Sequence, residues 1–186
     1  MNSENELIFD KKYSQVRLDI SNHLINNENL KKILYDKRIF STIKKYLNKT
    51  DVKITNIGVI HSHPFKNPTR KQKYHIDNYN GELSSIINNN KLIKLFIPLC
   101  DVNVDNGATK IIIGSRENLL PLIKNDNNNN KLTSFEDDIV ENYYEKEKII
   151  SMNSNFGEVF LARTDGIHKG GHVLKKYRTI IIVEYR

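Results

Sequence analysis

A chain of 186 residues with 38% hydrophobic content can bury one sizeable core, so a single domain over residues 1–186 is expected. The formal charge of +7 and a pI near 9.3 invite a nucleic-acid or phosphate-bearing partner; the lysines are scattered, however, with no arginine-rich cluster or interleaved aromatics, and a solvated basic surface is the stronger reading. Met1 to Glu6 is polar and acidic, aliphatic runs such as Ile180 to Val183 are too short to cross a bilayer, and the single cysteine, Cys100, excludes an internal disulfide. A soluble, cytoplasmic protein without a membrane partner is expected.

Residues 13–48 read as amphipathic helices. Val16, Ile20 and Leu24, then Leu30, Ile33 and Leu34, then Ile39, Phe40, Ile43 and Leu47 recur at three- and four-residue intervals with charges between them. The Asn26-Asn27 pair marks a break between helices, and Asn48 to Asp51 closes the run. This helical flank, residues 1–50, carries no nameable chemistry, and His23 reads as a helix-surface residue.

From Val52 the period changes. Lys53 to His61 alternates as a strand does, Pro64 to Arg70 is a loop, and Lys73-Tyr74-His75-Ile76-Asp77 is a second strand closed by Asn78 to Gly81. After a polar break at Asn88 to Asn90, Leu92 to Leu99 is an apolar run of strand length in which Pro98 calls for an edge or a bulge. Asp105-Asn106-Gly107 predicts a tight reversal that pairs a strand ending near Val104 with Thr109 to Ile113. Gly114-Ser115 then opens a polar excursion over 115–150, with an asparagine run at 127–130 and a capped helix from Ser134 that has acids in its first turn; an excursion of this length in a compact domain usually covers a site. Lys148 to Ser151, Gly157 to Arg163 and Tyr177 to Tyr185 complete the strands. Helices first and seven or eight short strands afterwards define an α+β, mainly β class with a closed or double-layered antiparallel sheet.

Within the second strand, His75 and Asp77 lie two positions apart and so share a face. They offer one nitrogen and one oxygen to a common metal, and a third ligand is available in Asp165-Gly166-Ile167-His168-Lys169-Gly170-Gly171. Two imidazoles and a carboxylate on one face of an ion, with open positions opposite, is the ligand set of non-haem Fe(II) oxygenases. Other histidines compete: His61 and His63 are also two apart, and His172 lies four beyond His168. Arg178, amid aliphatic residues, is an arginine that needs a partner if buried.

The ordered set Gln72 to Asp77, Lys94 to Val102 with Asp105-Asn106-Gly107, Gly114-Ser115, Gly157-Glu158-Val159, Gly166 to Gly171 and Arg178 resembles the phytanoyl-CoA dioxygenase family of Fe(II)- and 2-oxoglutarate-dependent oxygenases, from about Lys53 to the end. The resemblance implies a double-stranded β-helix, or jelly-roll, core over 53–186 flanked by the N-terminal helices. It implies iron held by His75, Asp77 and His168, and the distal carboxylate of 2-oxoglutarate held by Arg178, ten positions after His168, whose planar fork suits a carboxylate. Lys94 is either a second residue of the co-substrate pocket or a surface lysine, and the role of Gln72 stays open. The chain departs from the family at Asn106-Gly107-Ala108 and at Ile113-Gly114-Ser115-Arg116, neither of which touches a ligand, and it is short for the family.

The activity so implied is hydroxylation of a C–H bond of a small-molecule substrate by dioxygen, with 2-oxoglutarate converted to succinate and CO2. The carboxylate of Asp77 argues against the related halogenases, in which that ligand is missing so that a halide can bind. Two rival readings are a hydroxylase or demethylase of a polypeptide or nucleic acid, motivated by the basic charge, and a non-catalytic jelly-roll module holding a metabolite or a structural metal. Steeply salt-dependent polyanion binding would favour the first, and stoichiometric succinate production would exclude the second.

Overall fold

The computed structural model describes residues 15–18, 21–64, 72–78, 91–119 and 134–186, with the backbone alone at 15–18 and 21–22. Of the expected loop at 64–70 only Pro64 is among them, and the polar break at 88–90 and the asparagine run at 127–130 lie outside them. A short strand, β1 (Gln15–Leu18), precedes three helices, α1 (Ser21–Ile25), α2 (Glu28–Leu34) and α3 (Lys37–Leu47). The helical reading is thereby corrected over 15–18: the backbone of β1 pairs antiparallel with β2 (Ile54–Ser62), and pairing to an open sheet edge overrides a helical apolar pattern in so short a segment. The break at Asn26-Asn27 is present, and Asn27 Oδ1 accepts the Leu30 N–H at 2.9 Å. A second break follows at Tyr35-Asp36, where Asp36 caps α3 through the N–H groups of Arg38 and Ile39. Asn48, at φ 55°, ends α3 in the left-handed conformation.

The remaining strands are β3 (Tyr74–His75), β4 (Ile93–Pro98), β5 (Thr109–Ile112), β6 (Ser134–Phe135), β7 (Ile149–Met152), β8 (Phe160–Arg163), β9 (His168–Lys169) and β10 (Arg178–Tyr185). They form two antiparallel five-stranded sheets, ordered β1-β2-β10-β4-β8 and β6-β3-β9-β5-β7, and residues of both line one cavity. This is the jelly-roll arrangement, mainly β, with the helices outside. The expected helix after Ser134 is α4 (Asp137–Tyr143); Ser134 and Phe135 are themselves β6, and Glu136 at the N-cap makes no side-chain cap, leaving Asp137 and Asp138 to favour the helix N-terminus by charge. Pro98 is the last residue of β4, paired with Ile180 on one side and lying beyond the end of β8 on the other, so its missing N–H leaves no gap in the ladder.

The hairpin expected around Asp105-Asn106-Gly107 does not form. β4 belongs to the first sheet and β5 to the second, where β5 pairs with β7 and β9. The turn residues serve a crossing between sheets instead. Gly107 has φ 90°, and a Cβ there would stand 2.7 Å from Gly171 O and 2.8 Å from Val173 Cγ2, so the two backbones touch where only glycines fit. Asn106 fixes the crossing by donating to Asp101 O and accepting from the Asn103 N–H, both at 2.7 Å.

Period-2 alternation on the first sheet separates core from cavity. On β10, Ile181, Val183 and Tyr185 pack with Leu30, Leu34, Ile43 and Leu47 of the helices, while Arg178, Ile180, Ile182 and Glu184 line the cavity. On β2 the same split puts Ile57 and Val59 outward and Asn56, Gly58 and Ile60 inward. The Tyr185 hydroxyl donates to Leu34 O at 3.2 Å, pinning the last strand to α2. Because Ile43 is fully buried in this layer, Ile43→Ala should cost about 2–5 kcal/mol in a urea unfolding series. Metal binding at saturating metal should be unchanged in the same variant, since the cavity lies on the other face.

Candidate metal centre

His75 and His168 are register partners across β3 and β9, and directly opposed residues of an antiparallel pair present their side chains on one face. Their ring centroids are 4.4 Å apart. Asp77 follows two residues later, its N–H donating to Thr164 O at 2.9 Å, which ties the turn after β3 to the turn before β9. Asp77 Oδ1 is then 4.0 Å from His75 Nε2 and Oδ2 is 3.5 Å from His168 Nε2. One ligand atom from each of the three residues lies within 4.8 Å of the others, and among the described residues no other group of three does so.

The backbone sets the tautomers. His75 Nδ1 lies 2.9 Å from Lys73 O and His168 Nδ1 3.0 Å from Gly166 O; a carbonyl can only accept, so both protons sit on Nδ1 and both Nε2 lone pairs are left for the centre. Burial first, and the neighbouring His75 ring second, push His168 down to about 4, so its imidazole is neutral at neutral pH. Burial works against the charge of Asp77, and His168 and Lys94 outweigh it, holding the carboxyl well below the usual range. At neutral pH it is Lys94 that carries this effect, because His168 is then uncharged. The Thr164 hydroxyl is buried without a hydrogen bond among the described residues, yet stands close enough to Asp77 to favour its charge.

The loop before His168 depends on a residue that sequence reading placed in a motif without giving it a role. Ser115 Oγ accepts the Ile167 N–H at 2.8 Å, and a Cβ on Gly166 would stand 2.8 Å from that oxygen. Ser115 is 1% exposed. Ser115 thus positions the residue before the third candidate ligand from 52 residues away. Tyr46 of α3 reinforces the same turn, its hydroxyl lying 3.3 Å from Oδ2 of the buried Asp165.

Arg178 is 3% exposed at the other end of the cavity. Its Nη1 donates to Gly107 O and its Nη2 to Ser62 Oγ at 3.4 Å, while Nε has no partner among the described residues. Among the described residues no carboxylate pairs with it, and burial lowers its pKa to about 10, so it remains a cation at neutral pH. Gln72, whose role was open, is buried and donates to Gly171 O at 3.4 Å, bracing the contact that presents Gly107 O to Arg178. Lys94 is not a surface lysine. It is 18% exposed, lines the same cavity, and its Nζ lies 2.6 Å from Asp77 Oδ2, at the metal end rather than beside Arg178.

The competing histidines do not join the cluster. His61 points to the far side of β2, with Nδ1 2.9 Å from Thr179 Oγ1 and its ring against Tyr177. His63 and His172 are half-buried and outside the three-residue group. Between the two ends the cavity, of about 250 Å³, is walled by Ile60, Phe96, Ile180 and Ile182.

A jelly-roll that gathers two imidazoles and an ionised carboxylate in one cavity, with a guanidinium in the same space that no described carboxylate answers, has the donor set of a metal-dependent enzyme class rather than of an inert β-sandwich. The sequence matches the phytanoyl-CoA dioxygenase (PhyH) family over residues 2–175, and the chain belongs to that family. No curated protein matches it in sequence. Among solved structures it is similar in fold to HygX from Streptomyces hygroscopicus with nickel and 2-oxoglutarate bound, at 14% identity and a TM-score of 0.64, covering 92% of this chain and 69% of HygX. It is similar also to the epimerase SnoN in complex with Fe3+, alpha ketoglutarate and nogalamycin RO, at 12% identity and a TM-score of 0.61, covering 92% of this chain and 63% of SnoN. The carbocyclase SnoK from nogalamycin biosynthesis matches at 15% identity and a TM-score of 0.58, with 92% and 62% covered. The chain thus spans about three-fifths of the length of SnoN. Among the described residues no helix is long and apolar enough to cross a membrane.

Ser115→Ala tests the positioning of the His168 loop. Leaving the Ile167 N–H buried and unsatisfied should cost about 1–3 kcal/mol of stability in urea unfolding. The same variant should weaken Mn(II) binding roughly 10- to 100-fold, as loss of groups that orient ligands does.

Proposed function

We propose that the chain is an Fe(II)- and 2-oxoglutarate-dependent oxygenase that oxidises a C–H bond of a small molecule, with hydroxylation as the outcome. The observation that carries the reading is Arg178: a buried cation with no carboxylate among the described residues, in the same cavity as His75, Asp77 and His168. Family membership and the similar folds that hold iron or nickel with 2-oxoglutarate or alpha ketoglutarate support it. The small-molecule substrate is supported by the nogalamycin RO and hygromycin B bound to two of those folds.

In this reading His75, Asp77 and His168 would hold the iron through two imidazole nitrogens and one carboxylate oxygen. Bound there, iron with dioxygen and 2-oxoglutarate supplies the oxidising chemistry: the keto acid becomes succinate and CO2, one oxygen atom goes to succinate and the other to the substrate carbon. Arg178 receives the distal carboxylate of the keto acid, its planar fork matching two oxygens and its remaining N–H groups staying on Gly107 O and Ser62 Oγ. Ile60, Phe96, Ile180 and Ile182 keep water from the space between, which strengthens every charge interaction inside it.

Anaerobic titration with Fe(II) and 2-oxoglutarate should produce the weak visible charge-transfer band of a chelated keto acid. His75→Ala, Asp77→Ala and His168→Ala should each abolish it. Arg178→Ala should keep the band but raise the 2-oxoglutarate Kd roughly a hundredfold, the equivalent of about 3 kcal/mol for a broken buried ion pair. Admitting dioxygen should then yield succinate even without the true substrate. A protein that binds Fe(II) but gives neither band nor succinate would leave only a metal-binding jelly-roll.

A further inference from the structure

Lys94 differs from the other cation of the cavity in having two carboxylates within reach. Its Nζ lies 2.6 Å from Asp77 Oδ2 and 3.9 Å from Glu184 Oε2, and all three side chains are less than one-fifth exposed. Asp77 Oδ2 is also the oxygen 3.5 Å from His168 Nε2, so the ammonium occupies the face of the carboxylate that a metal shared with His168 would use. Glu184 is built to face it. The residue stands opposite Lys94 in the β10–β4 register, and its Oε1 is held by Thr55 Oγ1 at 3.0 Å and Arg186 Nε at 2.9 Å, leaving Oε2 turned toward the lysine.

A divalent ion and an ammonium drawn to one carboxylate oxygen in a partly buried site repel each other strongly, because like charges at contact range are poorly screened where water is scarce. Resting on the reading that His75, Asp77 and His168 hold a divalent ion, we infer that Lys94 is a built-in counter-cation for Asp77. Its ammonium neutralises the carboxylate in the metal-free protein and passes to Glu184 when the ion binds. Both end states keep every carboxylate paired: Asp77 with Lys94 and Glu184 with Arg186 before loading, then Asp77 with the ion and Glu184 with both Lys94 and Arg186. Neither state leaves a buried charge uncompensated, the condition that makes such sites costly. Lys94 acts here as a positioning residue through Asp77, and the exchange lowers metal affinity in return for a stable empty site.

The test is a double-variant cycle read by calorimetry with Mn(II) alone, together with thermal unfolding of each metal-free protein. Lys94→Met should bind Mn(II) roughly tenfold more tightly, a change of the size seen for groups bordering metal ligands, while its metal-free form melts at a lower temperature. Glu184→Gln should bind roughly tenfold more weakly, because Lys94 then has no second seat. The double variant should match Lys94→Met. If Glu184 acted on the ion through its charge alone, Glu184→Gln would weaken binding equally with and without Lys94, and that result overturns the inference. Unchanged affinity in Lys94→Met overturns it too, and Lys94→Gln carries the same expectations if the methionine variant does not fold. A wild-type protein that takes up no Mn(II) overturns the metal-centre reading itself, which separates that failure from this one.

Discussion

Everything at the site depends on the register of one very short strand. β3 is two residues long, yet it sets His75 directly against His168 and, through the Asp77 N–H bond to Thr164 O, fixes where the carboxylate lies. A slip of one residue would turn His75 to the other face and bring Tyr74 inward. The slip is opposed by what Tyr74 does on its own side: it is fully buried in the cluster with Ile76, Phe135 and Val140, its hydroxyl donates to Glu141 at 3.1 Å, and Lys169 sits over its ring. An apolar core behind the sheet therefore holds the polar constellation in front of it.

The opposite wall is organised by the same alternation. Along β10 the inward residues run Arg178, Ile180, Ile182, Glu184, so one strand supplies a cation at one end, a dry middle and an anion at the other. The outward residues of the same strand bury themselves under the helices, which is why a helical layer without chemistry of its own still determines the site.

The shared face of His75 and Asp77 was legible because two-residue periodicity is a local property, whereas their reading as a metal pair, and that of Arg178 as a co-substrate residue, came through the family pattern. Bringing His168 to His75 across 93 positions was legible only through the order of motifs in a family pattern, since no local signal specifies which strands become neighbours. The failures have the same origin. Asp105-Asn106-Gly107 has hairpin chemistry, but its glycine is used for a backbone contact with Gly171 in a crossing between sheets, a tertiary demand that the tripeptide cannot reveal. Gln15 to Leu18 lie in a helical apolar pattern, but an open edge of β2 is available to their backbone. Ser115 was read only as part of a motif and Glu184 was not singled out, because a serine and a glutamate are surface residues by default, and only burial and register give them a task.

The two cations of the cavity are in opposite electrostatic situations, and the difference says which end asks for a ligand. Lys94 has Asp77 and Glu184 within 4.0 Å, so its charge is answered inside the chain. Among the described residues Arg178 has a carbonyl and a hydroxyl, two neutral acceptors for five N–H donors, and an Nε with none. Withdrawing a guanidinium from water costs several kcal/mol after relaxation, and neutral acceptors recover only part of it. A fold that brings Gly107 and Gly171 into backbone contact, braces them with Gln72 and so presents a carbonyl to that guanidinium is holding it in place, not tolerating it. Among the described residues no carboxylate answers it, so a planar, cationic fork stands in the same cavity that His75, Asp77 and His168 line.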